Sequence, residues 1–102
     1  MGEMVQFTLG QTVNIPCQIQ GGAFSNEYLV SITTEDGIIS GFADENDVRR
    51  DLKNPENGTI RGRVVELGPD GVRVRIYGSF FTTAAGMMQF SSSWANTHLQ
   101  SA

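Results

Sequence analysis

Apolar residues recur at every second position through much of this chain. Val13, Ile15, Cys17 and Ile19 hold odd positions, Tyr28, Val30 and Ile32 even ones, and Val72, Val74 and Ile76 even ones again. A period of two is the pattern of a strand with one face on a core. Val5, Phe7 and Leu9 give a shorter run of the same kind, and Ile38 to Ala43 another, with Gly41 marking a bend or bulge. The breaks between runs carry turn chemistry. Glu35-Asp36-Gly37 ends one strand with Asp-Gly, a strong hairpin signal. Gly68-Pro69-Asp70-Gly71 does the same between Thr59–Leu67 and Val72–Ile76. If that turn closes a regular hairpin, Leu67 faces Val72 and Val65 faces Val74 on the apolar side. Glu66 then stands opposite Arg73, and Val64 opposite Arg75, on the other side. Pro16 has no N–H to give, so its strand is expected at an edge or bulged there.

Only two segments depart from this pattern. In Asp44–Leu52 an Asp N-cap, early acids, later Arg49 and Arg50, and the i, i+4 pair Val48 and Leu52 predict a short helix. At the other end Met87–Phe90 predicts a last strand. Ser91-Ser92-Ser93 then leads into a short helical turn that Trp94 and Leu99 dock. Phe24, between strands, is expected to plug the core from a loop. The fold class is therefore mainly β: a small antiparallel barrel or roll of five or six strands, with one short helix around 44–52 and a short C-terminal helical turn. Its core should include Val13, Ile15, Val30, Ile32, Val65, Leu67, Val72, Val74 and Ile76. A length of 102 residues suits a single domain over 1–102.

Charge and cysteine content narrow the function classes. Eleven acids against seven bases give a net charge of −4, which weighs against a general nucleic-acid binder. The single Cys17 allows neither an internal disulfide nor a thiolate metal cage, and its place in an apolar alternation reads as core. There is no basic region followed by an apolar run at the start, and no stretch of about 20 apolar residues. A cytoplasmic protein without membrane contact is the expectation.

The candidate chemistry is sparse. Arg61, Arg63, Arg73 and Arg75 share one hairpin and could contact an anion or nucleic acid. In the regular register, however, Arg73 and Arg75 lie with Glu66 while Arg61 and Arg63 extend the opposite face. The preferred reading is a solvated strand face with a Glu66–Arg73 pair. Asp44, Glu45, Asp47 and Asp51 are explained by helix capping, and no metal-binding loop is present. His98 stands alone, and Ser79, Thr82 and Thr83 belong to no nucleophile or phosphate-loop motif. No catalytic residue, cofactor or metal is expected. Aromatic residues exceed the needs of one small core, and only one of the adjacent Phe80 and Phe81 can point inward. Phe80, Phe81, Met88, Phe90 and Trp94 are therefore candidate interface residues of a homo-oligomer, with another protein as a further partner class.

The plan of short strands and two tight hairpins resembles SH3-like or Sm-like small barrels. The segments Gly10-Gln11-Thr12-Val13-Asn14-Ile15-Pro16 and Gly78-Ser79-Phe80-Phe81-Thr82-Thr83 resemble those of short bacterial proteins of unknown function, some encoded on mobile integron gene cassettes. The resemblance implies a bacterial, non-enzymatic, oligomeric domain and assigns no functional residue. The favoured function is a non-catalytic binding or assembly module that self-associates through exposed aromatics. The alternative is a nucleic-acid-binding small β-barrel using the arginine hairpin, with Tyr77 or Phe81 as a stacking surface. A small-molecule-binding protein or enzyme is the third reading.

Overall fold

Alternation along the chain sets which side of each strand is hidden. In β1 (Thr12–Gly21) the odd residues Val13, Ile15, Cys17 and Ile19 are buried, and in β2 (Glu27–Thr34) the even residues Val30 and Ile32. A computed structural model describes residues 7–21, 26–80 and 87–101, without the side chains of Ser79 and Phe80. The remaining strands are β3 (Gly37–Asp44), β4 (Val48–Arg50), β5 (Asn57–Leu67), β6 (Gly71–Ile76), β7 (Ser79–Phe80), β8 (Met87–Ser91) and β9 (Gln100–Ser101). The one α-helix among the described residues, α1, spans Ser92–His98. The six strands of five residues or more meet the expected number, and three short ones complete the sheet.

All pairings are antiparallel, in the order β7-β3-β2-β1-β5-β6-β8. β4 pairs with the start of β5, beyond the reach of β6, and β9 pairs with the start of β1, beyond the reach of β2. The end strands β7 and β8 do not pair with each other, so the sheet is a curled, open roll rather than a closed barrel. Its inner face carries the core, from Val13 and Ile15 across Ile60, Val64 and Val74 to Phe90. Helix α1 adds Trp94 and Ala95 to that core, and Leu99 follows. Ser91 caps the helix, its Oγ accepting from the Trp94 N–H at 3.2 Å.

Seven of the nine expected core residues are buried; Val65 and Leu67 are not. The turn accounts for the difference. Gly68 N–H donates to the Gly71 carbonyl at 3.0 Å, and neither Pro69 nor Asp70 has a positive φ. Such a loop is not the mirror-image turn that matches strand twist. β5 compensates with an extra residue: Leu67 faces Val72 and Glu66 faces Arg73 as expected, but Val64, not Val65, then faces Val74. Val65 is a β-bulge, which adds local twist and moves every residue before it to the other side of the sheet.

Other expectations change for equally local reasons. The helix over 44–52 is reduced to one 3-10 turn, Glu45–Asp47, with Asp44 Oδ1 accepting from the Asn46 N–H as its cap. From Val48 the chain extends and pairs with β5, and Leu52 is 99% exposed. A nine-residue helix with two apolar side chains is marginal alone, whereas the open edge of β5 offers backbone partners. Pro16 lies in a central strand, yet at a gap in it. Ile19 N–H donates to Glu56 and Gln11 O accepts from Val64, so odd residues of β1 turn their main chain to β5 and even ones away. On that far side β2 reaches only Gln18 and β9 only Asn14, leaving no partner for the N–H that Pro16 lacks. Gly41 sits in an unbroken ladder, opposite Val30 and Phe80. Residues 7–9 of the expected first strand form no strand, with Gln11 N–H bonded back to Thr8 O. Phe24 and Val5 lie outside the described residues.

The bulge is testable by paired truncations. Val64→Ala should cost about 2 kcal/mol, the scale of one buried valine, and Val65→Ala clearly less, measured by urea unfolding. A regular hairpin would give the reverse order.

Candidate functional site

The bulge turns four separate-looking arginines into one surface. With Val64 directed inward, Gly62 and Ile60 follow it into the core, and Arg63 and Arg61 point outward with Arg75 and Arg73 of β6. The sequence-based division of these arginines between two faces is thereby corrected. Across the sheet the outer side chains form rows. Thr12, Arg63, Arg75 and Met87 are successive partners in one, and Glu66, Arg73 and Gln89 in another. Gln100, Asn14 and Arg61 make a third, continued by Tyr77, whose N–H donates to Arg61 O at 3.0 Å.

β4 extends this surface. Its Arg49 pairs with Thr59 and Pro16 pairs with Thr59 from the other side, which places Arg49 on the same outer face. Close approach of β4 depends on Gly58: a Cβ there would run into the Arg49 carbonyl and, at 2.6 Å, the Ile19 Cδ1. Arg50 is held differently. Its Nε donates to Pro55 O at 2.9 Å and its guanidinium lies 5.1 Å from the centre of the Tyr28 ring.

Only one of the five outward arginines has an acidic partner among the described residues: Arg73, 3.5 Å from Glu66 in an exposed pair worth little in water. Arg63 and Arg75 face each other directly. Like charges in that position cost on the order of 0.5 kcal/mol, and no acid among the described residues pairs with either. Two of the four acids of the 44–51 segment serve the backbone: Asp44 caps the 3-10 turn, and Asp51 Oδ1 accepts from the Lys53 N–H at 2.8 Å.

Three open depressions adjoin on this face. One of about 340 Å³ lies between Arg49, Arg50, Asn57 and Pro16, and one of about 380 Å³ between Thr12, Arg61 and Tyr77. A neck of about 80 Å³ at Thr59 shares lining residues with each of them, and Asn14 and Arg49 line all three. Sequence reasoning missed Arg49 and Asn14. A signal for Arg49 was present, because all seven basic residues of the chain lie between Arg49 and Arg75.

The aromatic candidates fall elsewhere. Phe90 is 1% and Trp94 9% exposed, so both belong to the chain's own core rather than to a surface for a neighbouring copy. Their rings stack with centroids 4.5 Å apart, and His98 stacks on Trp94 at 4.4 Å with its Nδ1 3.0 Å from Trp94 O. Met88 is half-buried against the core. Phe81 and the Phe80 side chain lie outside the described residues, as do Thr82 and Thr83. No cluster of three or more His, Cys, Asp or Glu suited to a metal ion occurs among the described residues, and no helix there is long and apolar enough to cross a membrane.

No family model, curated protein or solved structure matches the chain. Residue roles therefore rest on geometry alone.

Burial pushes the Cys17 thiol from its ordinary 9.0 up to about 12. Between those values the unfolded chain holds fewer protons than the folded one, so stability should fall as pH rises from about 9 towards 12. Cys17→Ala should flatten that part of a pH series of unfolding curves. Gly58→Ala should destabilise the protein by roughly 1–3 kcal/mol, because backbone must move to admit the methyl. Thermal unfolding of that variant beside Gly21→Ala, where a Cβ meets nothing within 4 Å, checks the contact.

Proposed function

We propose that this chain is a non-catalytic binding module that holds the phosphate backbone of a nucleic acid on the outer face of β1, β4, β5 and β6. The observation that carries the reading is the juxtaposition of Arg63 and Arg75 without an acidic partner among the described residues, flanked by Arg61 and Arg49, in a chain with 11 acids to place. A surface that only needed solubility would interleave those acids. Local rules broken at a stability cost are the mark of a functional site. Guanidinium groups presented at fixed spacing on a rigid sheet suit phosphate oxygens, which take paired N–H donors. Successive outward arginines of one strand stand about 7 Å apart, and partners on adjacent strands about 5 Å.

This reading replaces self-association through aromatics, since Phe90 and Trp94 are occupied within the fold. Fluorescence anisotropy with labelled oligonucleotides should show binding that weakens as salt rises. Four contacts would give a slope of log affinity on log salt near −3 for single strands, about 0.7 per phosphate. Arg63→Ala with Arg75→Ala should lower the steepness by roughly 1.4. Absence of any salt-sensitive binding at low salt, by wild-type protein that sediments as a folded species, overturns the proposal.

A further inference from the structure

Beyond the flat patch of Arg63, Arg73 and Arg75, the outer face changes character. From Arg61 it descends into the linked depressions, whose sides are the β4 arginines and the β9 strand. From these features we infer that the nucleic acid bound is single-stranded, with one base stacked on Tyr77 and the adjoining phosphate held between Arg49 and Arg61. The inference rests on the arginine-face reading above and specifies its ligand.

Shape is the first argument. The two larger depressions, about 340 and 380 Å³, are each at the small end of ligand-sized sites. A duplex keeps its bases inside and offers a stiff backbone that bridges such hollows. A single strand can lower a phosphate into the neck and turn a base into the space beyond it. The second argument is the lining. Tyr77 is half-buried, anchored through its backbone to Arg61, and is one of the residues lining the larger depression. Every base presents a π-face to such a ring, so stacking needs no particular sequence. The side-chain amides of Asn14 and Asn57 make no hydrogen bond among the described residues, and each offers both a donor and an acceptor to a base edge. The third argument concerns the hairpin itself. A free two-stranded ribbon can enter the major groove of a duplex. Here β8 pairs with β6 from Gly71 to Arg75, so the hairpin is embedded in the sheet, and its turn carries Asp70 with Glu66 close by. Arg73 stands beside Glu66 near that end, while Arg63 and Arg61 lie further from the turn, opposite Thr12 and Asn14 of β1. Two acids line the depressions as well: Asp47 lines the neck beside Arg49 and Arg61, and Asp51 lines the hollow next to Arg50, its carboxylate engaged by its own loop.

The test compares labelled oligothymidylate with a duplex of equal length, using the full chain at one low salt concentration. The single strand should bind about tenfold more tightly. Tyr77→Ala should weaken that binding on the order of tenfold, the scale of one base–aromatic stack, and leave duplex binding unchanged. Tyr77→Phe should restore the wild-type value. Should Tyr77→Ala not fold, Asn57→Ala, at an exposed amide lining the depression and outside the arginine rows, should lower single-strand affinity and leave duplex binding unchanged. Equal affinity for both forms, or equal losses in the variants, overturns the single-strand assignment while leaving the arginine face in place. Binding of neither form overturns both.

Discussion

Between Gly62 and Leu67, strand β5 carries one more residue than the stretch of β6 it faces. Because side chains alternate, that insertion reverses which residues of β5 before Val65 are hidden. Val64 and Ile60 enter the core, where both are essentially inaccessible, and the arginines between them are forced out. The two effects cannot be separated. Burying the valine and isoleucine stabilises the hairpin by about 2 kcal/mol each, far more than the repulsion of an exposed arginine pair costs. Hydrophobic burial therefore dictates the register, and the register assembles the charge. The arginine face is held in place by the apolar side of the same strand.

A second constraint sets how far that face extends. β6 is too short to cover the beginning of β5, and the uncovered backbone groups need partners. The chain after the 3-10 turn supplies them, and Gly58 lets it come close enough. Arg49 thus arrives beside Asn14 and Arg61 as a consequence of backbone pairing. β9 fills the corresponding space on β1 and brings Gln100 to the same row. The linked depressions lie between these two short additions, which gives the face relief that a uniform six-stranded sheet would lack.

Strand positions, both tight hairpins and most of the core were legible because a period of two is local information. The register was legible only as far as it could be counted from the turn: Leu67 with Val72 and Glu66 with Arg73 are as the sequence predicts. The bulge one residue further on has no compositional mark, since Val64 and Val65 are the same residue type. The 44–52 segment misled for a different reason. Its caps and charges suit a helix, and Asp44 does cap a helical turn, but the competing partner for Val48 is Ile60, distant in sequence. Phe90 and Trp94 look surplus in the sequence because strand alternation does not show how much of the inner face the sheet leaves uncovered. An open roll leaves its inner face to be finished by a helix, and those rings finish it.

The acid excess and the basic face are compatible once distance is considered. At physiological salt, charges on the surface are screened over about 8 Å, so a phosphate near Arg63 responds to Arg75 and Arg61 far more than to the net charge of −4. Glu66 beside Arg73, and Asp47 and Asp51 at the depressions, are the acids close to this face; the acids in the turns act at longer range and lower salt. Asp36, Asp44, Glu45 and Asp70 lie in turns at the ends of strands, off the arginine rows. A polyanion approaching from those directions is repelled, and one approaching the outer face is attracted. Charge segregation of this kind narrows the orientations that lead to contact.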